Sequence, residues 1–212
     1  MERLLGLHNN FSFLFLAVLL FPFQVKSQGN EWNDPSVNEV GAEPRHTSFI
    51  YYAEKLSAIK NIAEASPFYK SLNGTWKFNW SRKPADRPLV FYKTGYNASS
   101  WTEIKVPGEW QLQGFDVPLD INSGFGFENR FPKAPEDYNP EGSYLREFEI
   151  PSDWKDMQVF LHFGGVSSAY YVWINGNYIG YSEDSRTDSE FDITKYLKEY
   201  HNRIIINQAL DK

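Results

Sequence analysis

The amino-acid sequence predicts an all-β fold, an antiparallel sandwich of short strands. Three observations carry this expectation. Apolar residues recur at alternate positions in short segments along most of the chain, and period two marks a strand with one buried face. Turn residues separate these segments, with Asn175-Gly176 the clearest case. Helical periodicity is nearly absent, so sheet against sheet is the remaining way to bury an apolar face.

The elements follow in order. Tyr51 to Ala65 has loose apolar spacing compatible with one amphipathic helix. From Leu72 to Trp80 the chain alternates, which places Trp76, Phe78 and Trp80 on one face of a strand. Ser99 to Val106 forms a second strand, stopped by Pro107. Gly108 to Gly142 lacks periodicity and contains Pro118, Pro132, Pro135 and Pro140. A connection of this length inside a domain is usually functional, and its Phe115, Phe125, Phe127, Phe131 and Tyr138 favour an ordered loop. Strands resume at 143–150, 158–163 and 169–174. Asn175-Gly176 supplies the positive φ angles of a type I′ turn, so 178–181 returns antiparallel. Asp192 is placed to cap a helical turn through Lys195-Tyr196-Leu197, and 203–206 begins a last strand.

Composition bounds the function. The net charge is −6 with a pI near 5.3, and dispersed Lys and Arg exclude a nucleic-acid partner. There is no cysteine, which excludes disulfides, leader-cysteine lipidation, thiolate metal sites and Cys nucleophiles. Arg3 precedes an apolar run from Phe11 to Phe23 that is shorter than the ~20 residues of a membrane-spanning helix. It has the length of a secretory core, with Val25-Lys26-Ser27 offering cleavage after Ser27; an uncleaved anchor is the alternative. The expected division is a signal peptide at 1–27, an extended arm at 28–70 and a sandwich at 71–212. Export to a bacterial periplasm, or outside the cell, leaves no membrane association after cleavage.

Among residues able to carry chemistry, the densest carboxylate group is Glu183, Asp184, Asp188, Glu190 and Asp192. The favoured reading is structural, with an Asp184–Arg186 ion pair, Asp192 as a cap and the rest a solvated edge. No metal site is expected: His46 and His201 sit in polar surroundings, and His162 alternates with Leu161 and Phe163 and so faces away from them. Trp101, Trp110 and Trp173 are candidates for a sugar-stacking platform, though core burial is the stronger reading for Trp110 and Trp173.

Four phrases give the sequence a family likeness. They are Val106-Pro107-Gly108-Glu109-Trp110-Gln111, Asn139-Pro140-Glu141-Gly142-Ser143-Tyr144, Asn175-Gly176 with Gly180-Tyr181, and Asp184-Ser185-Arg186 with Ser189-Glu190-Phe191-Asp192. In order and spacing, from about Glu31 to Leu210, the chain resembles the sugar-binding domain that opens β-galactosidases of glycoside hydrolase family 2. The resemblance implies a jelly-roll sandwich within an exported enzyme of carbohydrate catabolism. That enzyme would hydrolyse terminal β-D-galactosides with retention. Both catalytic glutamates of the family lie in a downstream barrel domain, and no residue here matches them, so this chain alone is expected to be inactive. The family's magnesium and sodium ligands are equally without counterparts. Counting from Trp110-Gln111 through Gly114, Asp116 and Pro118, the family's galactose-contacting asparagine falls on Asn122. An amide both donates and accepts, as a sugar hydroxyl requires. Asp120 departs from the aromatic residue common in the family. At Asn207-Gln208-Ala209-Leu210 the likeness breaks, before the family's Trp-Ser-Asp-Gly segment, so the closing strand is expected to be missing. The expected partners are a β-galactoside and the barrel domain. The alternatives are a free-standing carbohydrate-binding module or a non-functional truncated product.

Overall fold

Ile204-Ile205-Ile206 and Tyr170-Tyr171-Val172-Trp173-Ile174 are apolar at every position rather than at alternate ones, and the fold explains why. A computed structural model describes residues 31–117, 135 and 137–209 of the chain. Nine strands are present among them: β1 (Glu39–Val40), β2 (Gly74–Ser81), β3 (Thr102–Val106), β4 (Glu141–Phe148), β5 (Phe160–Phe163), β6 (Ala169–Ile174), β7 (Asn177–Ser182), β8 (Ser189–Asp192) and β9 (Asn202–Ala209). Seven form one antiparallel sheet in the order β1-β7-β6-β9-β4-β2-β3, and β5 pairs with β8 in a second. The expected all-β class holds.

The large sheet is buried on both faces. Trp76, Phe78, Tyr144, Tyr170, Val172, Ile174, Ile204 and Ile206 point one way, onto Leu161 and Phe191 of the small sheet. Leu145, Tyr171, Trp173, Tyr181 and Ile205 point the other way, under Phe91, Ala98 and Trp101 and the arm residues Trp32 and Val37. A strand between two apolar layers reads as a continuous apolar run. The arm is part of this architecture, since Glu39 and Val40 pair with Ser182 and Tyr181.

Most sequence-derived elements appear with shifted ends. The 175–176 turn is as expected: Asn175 has φ 51°, Gly176 has φ 83°, and Ile174 pairs with Asn177. Asn175 is also the hub of a polar network, its Nδ2 donating to Asn202 Oδ1 at 2.9 Å and to the Tyr196 carbonyl at 2.8 Å. The helix expected over Tyr51–Ala65 is only α1 (Lys55–Lys60), ended by left-handed Asn61 and followed by a 3-10 turn, and no residue of α1 is buried. Without a neighbour to cover it, its apolar spacing has nothing to select for a longer helix. The 189–192 segment, read as a solvated edge, is strand β8: Ser189 and Phe191 are buried and Glu190 and Asp192 face outward. Asp192 Oδ1 accepts hydrogen bonds from Thr194 N and Oγ1, but the residue at the cap position of the 3-10 turn is Ile193. Asn207 to Ala209, where the family likeness breaks, continue β9 and pair with Ser143 to Glu141. The closing strand expected to be missing would follow, outside the described residues.

Gly142 ties the sheet to the loop that precedes it. A Cβ there would lie 2.3 Å from the Trp110 ring and 2.7 Å from Phe78, closer than packed atoms approach. Gly142→Ala should therefore destabilise the chain by about 1–3 kcal/mol, the usual cost of overpacking. Gly95→Ala, with nothing within 4 Å of its Cβ, should change stability by less than about 0.5 kcal/mol. Urea unfolding of both variants checks this; equal midpoints would contradict it.

Candidate functional site

The segment carrying Asn122 is held at both ends. On the incoming side, β3 leads into Trp110, which is 2% exposed and sits 5.8 Å from Phe78, ring to ring. A 3-10 turn, Gln111–Gln113, follows and is closed by left-handed Gly114. Gln113 reaches back to β3, accepting from Lys105 N at 2.8 Å and donating to its carbonyl at 3.0 Å. Phe115 packs edge-on against Phe78 at 4.7 Å. On the outgoing side, the Tyr138 hydroxyl donates to the Asp116 carboxylate, lying 2.8 Å from each oxygen. The Arg82 guanidinium covers the Tyr138 ring at 5.0 Å, and Asn139 N donates to the Arg82 carbonyl at 3.2 Å. Residues 22 apart in sequence thus form a polar stem. Burial and the Asp116 carboxylate push the Tyr138 phenol up to about 12, so it remains a donor at neutral pH. Asn122 itself lies outside the described residues, between the two sides of this stem.

Behind the stem the polar groups are buried. Glu141 is 1% exposed, 3.5 Å from Arg87 Nη1 and 3.3 Å from Asn207 Nδ2. Burial raises its pKa, against the opposing pull of Arg87 and Asn207. Asn139 is buried with both amide atoms lacking a hydrogen-bond partner among the described residues. Polar groups in this state are rare in folded proteins and point to an interaction yet to be made.

The carboxylates at 183–192 have partners other than those expected. Asp184 pairs with Arg45 of the arm at 3.2 Å rather than with Arg186, whose backbone N–H it accepts instead. Glu190 offers one oxygen to His46 Nε2 at 3.1 Å and the other to His162 Nδ1 at 3.0 Å. Asp188 accepts from Ser48 and lies 3.6 Å from His162 Nε2. His162 does face outward, yet toward this cluster, which joins residues 139 to 144 apart in sequence. Alternation gives a side chain's direction but not such a distant neighbour. The cluster clasps the arm onto β5 and β8. Among the described residues, no group of three or more His, Cys, Asp or Glu is arranged to hold a metal ion, and no helix is long and apolar enough to cross a membrane.

The tryptophan platform does not form. Trp101, Trp110 and Trp173 are 5%, 2% and 2% exposed, so none offers a face to a sugar. The surface does carry a concavity of about 470 Å3 on the outer side of the large sheet, lined by Lys77, Tyr96, Asn97, Glu103, Glu147 and Arg203 among others. Its residues come from four strands and a connection, and no sequence phrase groups them.

Comparison with known proteins agrees with this architecture. The family model described as "Glycosyl hydrolases family 2, sugar binding domain" matches residues 69–210. A beta-galactosidase of Priestia megaterium is 41% identical over 181 residues, 83% of this chain and 18% of that protein. A beta-galactosidase large subunit of Latilactobacillus sakei is 37% identical over 193 residues, 83% of this chain and 30% of that subunit. The chain therefore spans well under half the length of these relatives. Among solved structures, a Bacteroides uniformis beta-glucuronidase shares the fold with a TM-score of 0.51 and 21% identity over 68% of this chain and 15% of that one.

Two outcomes follow from the geometry. Tyr138→Phe removes a hydrogen bond to a charged acceptor and should cost about 1.5–3 kcal/mol, read by urea unfolding; an unchanged midpoint would show that the stem is not held this way. The Thr47 carbonyl and the Glu190 carboxylate raise the pKa of His46 above its ordinary 6.5. The clasp is faced by Glu39, Glu43 and Arg45 on the arm, by His162, and by Asp188 and Glu190. A raised folded-state pKa means that the His46 contribution is full below about 6.5 and is lost as pH rises through the folded value. Limited proteolysis of the arm should accelerate over that rise in the native chain, and His46→Gln should flatten the dependence.

Proposed function

The chain belongs to glycosyl hydrolases family 2 through its sugar binding domain, and on that footing we propose that it serves as the opening domain of an exported β-galactosidase acting on terminal β-D-galactosides. The observation that carries the reading is the stem. Asp116 and Tyr138, which flank the segment containing Asn122, are joined by a hydrogen bond, so the two ends of that segment are fixed to each other. The naming of its relatives supports a galactoside as substrate.

In this reading the chain supplies recognition rather than bond cleavage. Retaining hydrolysis needs an acid/base and a nucleophilic carboxylate about 5–5.5 Å apart across the scissile bond. Asp184, Glu190, Asp192 and Glu141 are tied to Arg45, His46, His162, Thr194 or Arg87, which removes them as candidates for that pair; in this reading the pair lies on a separate barrel domain. Asn122 would contact a galactose hydroxyl as donor and acceptor, with its loop forming one wall of the pocket. Holding a hydroxyl from a rooted loop favours the productive geometry, since misplacement of a positioning group costs rate.

A chimera tests this. This chain replaces the matching region of the Priestia megaterium enzyme, and kcat/KM for a β-galactoside is compared with its Asn122→Ala variant. Loss of one positioned hydrogen bond should lower kcat/KM by about 10- to 100-fold. Equal activity would remove Asn122 from recognition. The 212-residue chain on its own should release no galactose, and measurable hydrolysis by it would overturn the division of labour.

A further inference from the structure

The groove on the outer face of the large sheet has no part in that reading. Its volume of about 470 Å3 falls in the ~300–1,000 Å3 range of small-molecule sites. We propose that it is a second sugar subsite, which takes an oligosaccharide of two or more units. The proposal rests on the chain being a sugar-binding domain, and deepens that reading by adding a site remote from Asn122. Remoteness follows from the strands: the groove uses Thr75 and Lys77 at the start of β2, whereas the stem uses Arg82 just past its end. Five residues of extended chain separate Lys77, the nearer of the two, from Arg82, about 17 Å.

The lining suits hydroxyl groups. Lys77 and Glu103 pair across β2 and β3 at 3.0 Å, and Arg203 and Glu147 pair across β9 and β4 at 3.6 Å. A sugar hydroxyl that both donates and accepts fits between such partners. Asn97, exposed on the wall, accepts from Ser99 N at 2.9 Å through Oδ1 and offers its Nδ2 as a donor to a hydroxyl. Arg146, the remaining cation in the lining, donates to the neutral carbonyls of Leu72 and Asn73 at 2.7 and 2.9 Å, so the lining holds the cations Lys77, Arg146 and Arg203 beside the carboxylates Glu103 and Glu147.

The wall is also built in advance. Arg203 Nη1 donates to the carbonyls of Thr94 and Tyr96, each at 3.0 Å, and fixes the 94–99 connection over the sheet. Tyr96 is half-buried, with Trp101 5.6 Å from its ring, and presents a supported ring to the CH face of a sugar.

The test is titration calorimetry of the 212-residue chain with lactose and with β-1,4-galactotetraose. The tetraose should bind, and more tightly than lactose. Asn97→Ala with Glu103→Gln should weaken it by tenfold or more, while Asn122→Ala should leave it unchanged. Both altered residues are exposed; should the pair lower the melting temperature, Asn97→Ala alone should still weaken binding several-fold. Absence of tetraose binding overturns the proposal, as does binding that is lost in Asn122→Ala and retained in the groove variants. The chimera kinetics at Asn122 are independent of all these arms, so either reading can fail alone.

Discussion

Everything else in this molecule depends on one sheet being buried on both faces. β4, β6 and β9 sit in its middle, and their side chains enter two separate cores. One core is closed by the two-stranded sheet. The other is closed by irregular chain: the 91–101 connection and the arm residues Trp32, Val37 and Val40. Fully burying a large apolar side chain contributes roughly 1.5–3 kcal/mol, so a sheet with two such faces cannot leave either uncovered. The arm is therefore a structural layer, bound by an edge strand, by Trp32 and Val37, and by the clasp of Arg45, His46 and Ser48.

The same constraint shapes the ends of the strands. Where the apolar cores stop, the central strands continue into buried polar residues: Glu141 and Ser143 on β4, Asn207 on β9. Buried polar groups must be paired, and here they pair with one another and with Arg87. The stem of the Asn122 segment is attached at this end, through Asn139, Tyr138 and Arg82. The groove opens at the other end, where cross-strand ion pairs replace the apolar layer. A single sheet thus presents two polar regions with different chemistry, one buried and neutralised, one open and charge-paired.

How much of this is legible in the sequence varies with the kind of interaction. Local signals read well: Asn175-Gly176 dictates its own turn, and the alternation of Trp76 and Phe78 assigns their face. Doubly buried strands are harder, because Tyr170 to Ile174 lose the period that distinguishes faces. The sandwich was legible nonetheless, since length and turn spacing survive that loss. β8 was not, because two of its four residues are charged and its strand character comes from pairing with β5. The clasp was invisible for a different reason: Glu190, His46 and His162 meet only through the path of the arm, and no local rule encodes it. The tryptophans show the reverse case, where rich aromatic content suggests a binding surface and packing consumes it. The Asn122 assignment came from motif register alone, and the fold adds the rooted stem on either side of it.

The most direct measurement is a crystal structure of the chimera, this chain joined to the remainder of the Priestia megaterium enzyme, with a β-galactoside bound. The account predicts the Asn122 side-chain amide within about 2.7–3.2 Å of a galactose hydroxyl, on a loop leaving the sandwich between Asp116 and Tyr138. A galactosyl unit fully enclosed with no residue of this chain in contact would contradict it.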